Sequence, residues 1–212
     1  LLALVPGIAA YVWFFGAGIL VQLAIASAAA LAGEAAMLAI RGKPKALFLT
    51  DLSAIVTAWL IALTFPPIAP WWLTVTGTLL AVVIVKQLYG GLGQNPFNPA
   101  MAAFCLMIVA YPALMSQWPA AGQLDFKTQL DLIFGGARQV DAITGATPLD
   151  ALRTALRSAA SADSELHGLR ASQLMDGPAF GAVGGKGGEW VALGYLLGGL
   201  WLVQRRIITW HI

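Results

Sequence analysis

Apolar stretches of about 15–22 residues recur along this chain, separated by short breaks of charge, proline or glycine, and a lipid bilayer is the solvent in which such stretches are stable. A spanning helix needs roughly 20 residues, with about 17 to 25 tolerated. Six stretches read as spans: residues 1–15, 19–40, 52–65, 71–88, 99–116 and 187–203. Gly16 to Gly18 separate the first two, Arg41, Lys43 and Lys45 end the second, Pro66 and Pro67 end the third, and Arg205 and Arg206 close the sixth. Only 10% of the residues are charged and 59% are hydrophobic, whereas a soluble domain carries roughly 25% charge, which excludes a soluble globular enzyme. The expected fold class is therefore an all-α integral membrane protein, a polytopic helix bundle of about six spans with one long outer-face loop. Residues 1–116 hold spans one to five, 117–186 the loop, and 187–212 the sixth span and a cytoplasmic end. The first stretch is too long for the core of a signal peptide and lacks a cleavage site after it. It also begins without Met, so a cytoplasmic tail is expected to be missing.

Lys and Arg in short loops set orientation, because they resist export. Arg41, Lys43 and Lys45, then Lys86, then Arg205 and Arg206 fall on one side under alternation, and that side is expected to be cytoplasmic. Residues 117–186 are then expected on the outer face of the membrane. The net charge of +2 leaves no basic face for nucleic acid. A single cysteine, Cys105, excludes an internal disulfide, a Cys-rich zinc site or an iron–sulfur cluster ligated by this chain alone. It reads as a small packed residue, so redox chemistry would need an added cofactor. His167 and His211 stand apart in sequence, and no metal site is expected.

Several residues have a structural and a functional reading. Glu34 is a carboxylate inside the second span, where an ionisable group is a functional candidate by default. The simpler expectation is that it faces the bundle and pairs with Arg41 or Lys43. Asp51 with Ser53 reads as a helix cap before the third span. Trp59, Trp71, Trp72, Trp118, Trp190 and Trp210 read as interfacial anchors, and Gly194-x-x-x-Gly198 as a close helix contact. Gly184-Gly185-Lys186-Gly187 lacks the first glycine and the hydroxyl residue of a phosphate-binding loop, and reads as a flexible approach to the sixth span.

The loop also contains Asp141-Ala142-Ile143-Thr144-Gly145-Ala146-Thr147-Pro148-Leu149-Asp150. Locally this starts a helix: Thr147 suits the cap, Pro148 the first helical position, and Asp150 completes a capping box, with Leu149, Leu152 and Leu156 on one face. The helix end favours an anion such as a phosphate, and Gly145 and Ala146 are expected to leave the spot open. The run resembles Asp-x-x-Ser/Thr-Gly-Ala-Thr, the pattern at which a flavin transferase joins FMN to the last threonine through a phosphoester. That residue is Thr147, with Asp141, Thr144, Gly145 and Ala146 completing the attachment motif.

A second run, Gly90-Gly91-Leu92-Gly93-Gln94-Asn95-Pro96-Phe97-Asn98-Pro99-Ala100-Met101, joins the fourth and fifth spans. Alone, it is a Gly-rich loop in which Asn95 or Asn98 caps a helix begun at Pro99. With the Thr-Gly-Ala-Thr loop, the spacing of the spans and the Trp210-His211-Ile212 ending, the whole chain resembles the RnfD family of the Rnf electron transport complex and its relative, NqrB of the sodium-translocating NADH:quinone reductase. The resemblance implies a membrane subunit of a ferredoxin:NAD oxidoreductase that moves Na⁺ or H⁺ as electrons flow, inactive alone, with no catalytic side chain of its own. It implies FMN on Thr147, a non-covalent riboflavin held at Asn95 and Asn98, further complex subunits as partners, and a flavin transferase for maturation. It also implies that this chain is the N-terminal two-thirds of a longer protein with more spans. A subunit of the NADH:quinone reductase, like NqrB, is the alternative within the resemblance, and a non-redox transporter or channel is the alternative in another class, since Gly/Pro-interrupted spans occur there too.

Overall fold

In the computed structural model, residues 1–44, 49–91, 93–122, 124–135, 145, 148–161, 179–181 and 184–209 are described. They form helices and connecting turns, with one isolated antiparallel bridge between Phe180 and Gly185. The helices are α1 (Val5–Phe15, after a 3₁₀ turn at Leu2–Leu4), α2 (Gly18–Ile40), α3 (Ser53–Thr64) and α4 (Trp71–Leu79), which continues as a π-helix over Leu80–Gln87. Then come α5 (Pro99–Ala110), α6 (Pro112–Met115), α7 (Phe126–Phe134), α8 (Pro148–Ser161) and α9 (Gly188–Gln204). Each apolar stretch of the sequence is helical. Among the described residues, α2 is the helix long and apolar enough to cross a membrane by itself, and Leu2–Phe15, Ser53–Thr64, Trp71–Gln87 and Pro99–Ala110 are apolar but shorter.

The chain divides into two compact units. The first comprises Leu1–Gly16, Pro119–Leu124 and Asp141–Ile212. Its centre is the contact of α1 with α9. A Cβ added at Gly194 would stand 2.8 Å from the Gly7 Cα, one at Gly198 would overlap the Ala3 carbonyl, and one at Gly7 would strike the Tyr195 ring. The small residues thus let two backbones touch, as the Gly194-x-x-x-Gly198 spacing predicts. Gly194→Leu is expected to destabilise the fold by at least the ~1–3 kcal/mol of an overpacked core, lowering the thermal midpoint in detergent. Gly199→Leu is the control: open space surrounds that position, so an equal drop there would refute the assignment. Phe14 stacks on Trp190, ring centroids 6.4 Å apart and 11° from parallel, and Gly122 N–H donates to the Phe14 carbonyl at 2.8 Å. The approach to α9 is a tied turn rather than a flexible one. Gly181 N–H donates to the Gly184 carbonyl, and Gly184 N–H donates to Glu189 Oε2, because a carboxylate at a helix start can accept a backbone donor in front of it.

The second unit comprises Ala17–Trp118 and Asp125–Val140. Ala26 and Ala30 on α2 are fully buried, and a Cβ at Gly33 would sit 3.0 Å from Leu79 and 3.3 Å from Val83, so small side chains bring α2 against α4. Around α3, α4 and α5 a core forms from Ile61, Phe65, Leu73, Ala81, Ala103 and Met107, with the Phe65 ring filling the space that Gly77 leaves. Pro66 and Pro67 end α3, since neither can donate a backbone N–H. The turn they make is held by Gln22, whose Nε2 donates to the carbonyls of Pro67 (3.3 Å) and Ala69 (2.6 Å) while its Oε1 accepts from Thr74 Oγ1 at 2.6 Å. A buried amide with its donors and acceptor engaged is the arrangement a dry interior demands. Gln129 of α7 accepts from Gly18 N–H at 2.7 Å, satisfying one of the donors exposed at the start of α2. Asp125 precedes α7, and the Thr128 hydroxyl donating to it holds its carboxyl below the usual carboxylate range.

Three expectations are corrected here. Cys105 is exposed, not packed: α5 turns Ala100, Ala103 and Met107 to the core, and Cys105 lies off that face. Trp59 lies in the middle of α3, not at its end, and donates to Ser27 Oγ at 3.2 Å. Asp51 stands one residue ahead of the cap position; its Oδ1 accepts from Ser53 N–H (2.8 Å) and Ser53 Oγ (2.7 Å), with Leu52 between them at φ +60°.

Candidate functional site: a glycine-rich loop on a buried polar cluster

The π-helix that completes α4 ends in Lys86 and Gln87, and both side chains turn inward. Wider winding brings consecutive side chains closer in direction than the roughly 100° of an α-helix, so two neighbours can reach one carboxylate. Lys86 Nζ donates to Glu34 Oε1 (2.8 Å) and Oε2 (3.0 Å), and Gln87 Nε2 donates to Glu34 Oε1 at 2.9 Å. Glu34 is 1% exposed and Lys86 2%. Lys86 Nζ also donates to Ser53 Oγ at 2.8 Å, and Ser53 Oγ in turn donates to Asp51. A charge this deep is tolerable only when paired and hydrogen-bonded, and both charges are.

This corrects the sequence reading twice. Glu34 pairs with Lys86, 52 positions away, and not with Arg41 or Lys43. Lys86 is no loop charge, so it leaves the count that orients the chain. The signal was present, because Lys86 falls within the span read over residues 71–88 and the rule that singled out Glu34 applies equally to it.

Arg41 instead reaches the base of the Gly-rich loop. Its Nη1 donates to the Gln87 carbonyl (3.1 Å) and to Gln87 Oε1 (2.9 Å), and its Nη2 to the Gly90 carbonyl at 3.3 Å. Gly90, Gly91 and Gly93 have φ of +118°, +105° and +80°, conformations that explain glycine at those positions. Gly91 N–H donates to the Lys86 carbonyl and Gln94 N–H to the Gly91 carbonyl. At the far end Asn98 caps α5, its Oδ1 accepting from the N–H groups of Ala100 (3.0 Å) and Met101 (3.4 Å). Asn95 Nδ2 donates to the Phe97 carbonyl at 2.6 Å, and Phe97 is 67% exposed.

Of the attachment motif, Asp141, Thr144, Ala146 and Thr147 lie outside the described residues. The helix expected to follow it is present: α8 starts at Pro148 with Asp150 in its first turn. Leu149 is 73% exposed, so the apolar face read from Leu149, Leu152 and Leu156 is not closed over at its start. Gly145 is not in open space. A Cβ there would stand 2.5 Å from the Ala120 Cβ and 3.1 Å from its Cα, so glycine permits a close approach to the 119–122 segment.

The family model described as NQR2, RnfD, RnfE matches residues 1–212 of the chain. The chain belongs to the NQR2, RnfD, RnfE family. Proteins described as ion-translocating oxidoreductase complex subunits of the D type are among its relatives: it is 50% identical over 211 residues to that of Ectopseudomonas mendocina and 46% over 210 residues to that of Alcanivorax borkumensis. The match to that of Escherichia fergusonii is 43% over 229 residues. These alignments take in 99–100% of this chain but 59–62% of each relative, so the chain spans about three fifths of the length of the curated relatives it matches. Within this member of the NQR2, RnfD, RnfE family, the structure brings Glu34, Lys86, Gln87 and Arg41 together beneath the Gly-rich loop that carries Asn95 and Asn98.

Proposed function

We propose that this chain is part of a multi-span inner-membrane subunit of a redox-driven, ion-translocating complex of the ferredoxin:NAD oxidoreductase type. In it Thr147 carries FMN through a phosphoester, and the Gly90 to Asn98 loop holds a second, non-covalent flavin, riboflavin. The observation that carries the reading is the run Asp141-Ala142-Ile143-Thr144-Gly145-Ala146-Thr147, set immediately before the first turn of α8 at Pro148. First-turn N–H groups lack intrahelical acceptors and face the helix start, where a phosphate is favoured. The description shared by the relatives supports the complex and its other subunits as partners; the flavin transferase that matures the chain follows from the attachment run alone.

The Gly-rich loop fits a flavin edge in its donor set. With Asn95 Nδ2 and Asn98 Oδ1 engaged by the backbone, Asn95 Oδ1 and Asn98 Nδ2 remain as one acceptor and one donor, the pair that a ring edge bearing both functions requires. The exposed Phe97 adds an aromatic face. Flavin supplies the electron-carrying chemistry, while the chain supplies position and electrostatics. Arg41, Lys43, Arg205 and Arg206 orient the bundle with the Gly-rich loop's base toward the cytoplasm and residues 117–186 toward the periplasm.

The test is intact mass after co-expression of the full-length subunit with the flavin transferase. A gain equal to one FMN phosphoester, mapped by peptide fragmentation to Thr147, is the expected result. An unmodified mass would overturn the covalent assignment.

A further inference from the structure

Arg41 stands at the end of α2 and yet bonds another element altogether. Half-buried, it spans the junction where the π-helix gives way to the Gly-rich loop, bonding the Gln87 carbonyl, the Gln87 side chain and the Gly90 carbonyl. The Gln87 carbonyl ends the helix, where a cation is favoured, and the Gly90 carbonyl opens the loop. Its partner is itself fixed, because Gln87 presents Oε1 to Arg41 while its Nε2 is held by Glu34, which Lys86 neutralises. A continuous series of hydrogen bonds therefore runs from a carboxylate inside α2 to the backbone of Gly90. The loop's own hydrogen bonds are local, from Gly91 N–H to the Lys86 carbonyl and from Gln94 N–H to the Gly91 carbonyl, and Asn98 caps the helix at its far end, so Arg41 is the side chain that ties the loop's base to α2. Arginine's planar fork can meet two carbonyls and an amide oxygen at once, which a lysine ammonium cannot do in the same geometry.

We propose that Arg41, braced by Gln87 and Glu34, is a positioning residue that fixes the Gly90 to Asn98 loop in the conformation that holds the non-covalent flavin. The flavin part rests on the function proposed above, whereas the loop positioning does not. Its charge beside the loop also favours the reduced, more anionic form of a flavin held there.

The experiment uses the full-length subunit in its assembled complex, as wild type, Arg41→Lys and Arg41→Met, with covalent FMN as the measure of intact assembly. Amide hydrogen exchange across residues 88–98 reads positioning without reference to any flavin. Acid-extractable flavin per covalent FMN, and the midpoint potential of that flavin, read its consequence. Exchange at Gly90, Gly91 and Gln94 is expected to rise at least tenfold in Arg41→Met and by a smaller factor in Arg41→Lys. Extractable flavin should fall by a similar factor, with the residual flavin at lower potential in Arg41→Met and near the wild-type potential in Arg41→Lys. Unchanged exchange in Arg41→Met overturns the proposal, as does, where wild type yields extractable flavin, equal flavin content and potential in wild type and both variants. If exchange rises but wild type yields no extractable flavin, positioning stands and the flavin reading of the loop fails. Should Arg41→Met not assemble, Arg41→Lys decides on the same readouts, since it keeps the charge and removes only the fork.

Discussion

Thr147→Ala is expected to remove the flavin band from a denaturing gel viewed under ultraviolet light, completely and without loss of the protein itself. Wild type co-expressed with the flavin transferase is expected to give a fluorescent band, because a phosphoester survives denaturation whereas non-covalently bound flavin is lost. The expected effect is all-or-none because the proposed phosphoester needs the threonine hydroxyl and alanine has none. The cost to folding is small by comparison: even if Thr147 caps α8, replacing a cap by alanine is worth about 1 kcal/mol. Thr144→Ala leaves the acceptor hydroxyl and is expected to reduce the band only in part. Thr147→Ala that still fluoresces would sink the assignment to this residue.

The second large effect concerns the buried pair. Lys86→Met alone leaves the Glu34 carboxylate with Gln87 as its neutral partner, and breaking a buried pair in this way costs about 3–5 kcal/mol. The double variant Glu34→Leu/Lys86→Met removes both charges together and is expected to recover most of that loss, since a buried pair and an apolar replacement of similar volume are often close in stability. Thermal survival of monodisperse protein in detergent measures both. If the double variant is no more stable than Lys86→Met, the two groups are not energetically coupled, and the 2.8 Å contact is incidental.

Helix ends were legible in the residues because local chemistry sets them. Gly16 and Gly18 part α1 from α2, Pro66 and Pro67 stop α3, Pro99 opens α5 behind the Asn98 cap, and Pro148 opens α8. The Gly194 and Gly198 contact was legible from spacing alone. The π winding over Leu80–Gln87 was not, because nothing local in Leu-Ala-Val-Val-Ile-Val-Lys-Gln asks for it. It accompanies a tertiary demand, the reach of Lys86 and Gln87 to Glu34. Nor could the exposed side of Cys105 be read, since α5 is apolar all round and its sequence carries no contrast between faces. For the candidate site, the loop and its two asparagines were visible as a motif, but the support beneath them was not. Arg41 and Lys86 read as loop charges, although Lys86 lies within the span read over residues 71–88, and three-dimensional packing shows that one bonds the base of the loop and the other pairs with Glu34 in the interior.

The seam between α1 and α9 also dictates a timetable. Gly7 and Gly194 lie some 190 residues apart, and at the ~5–20 residues per second of translation the earlier helix leaves the ribosome roughly 10–40 s before its partner exists. During that interval the side of α1 that carries Gly7 is without the helix that later meets it. The seam closes only after the contacts of α2 with α3 and α4 have become possible, and truncation anywhere before α9 leaves α1 without that partner.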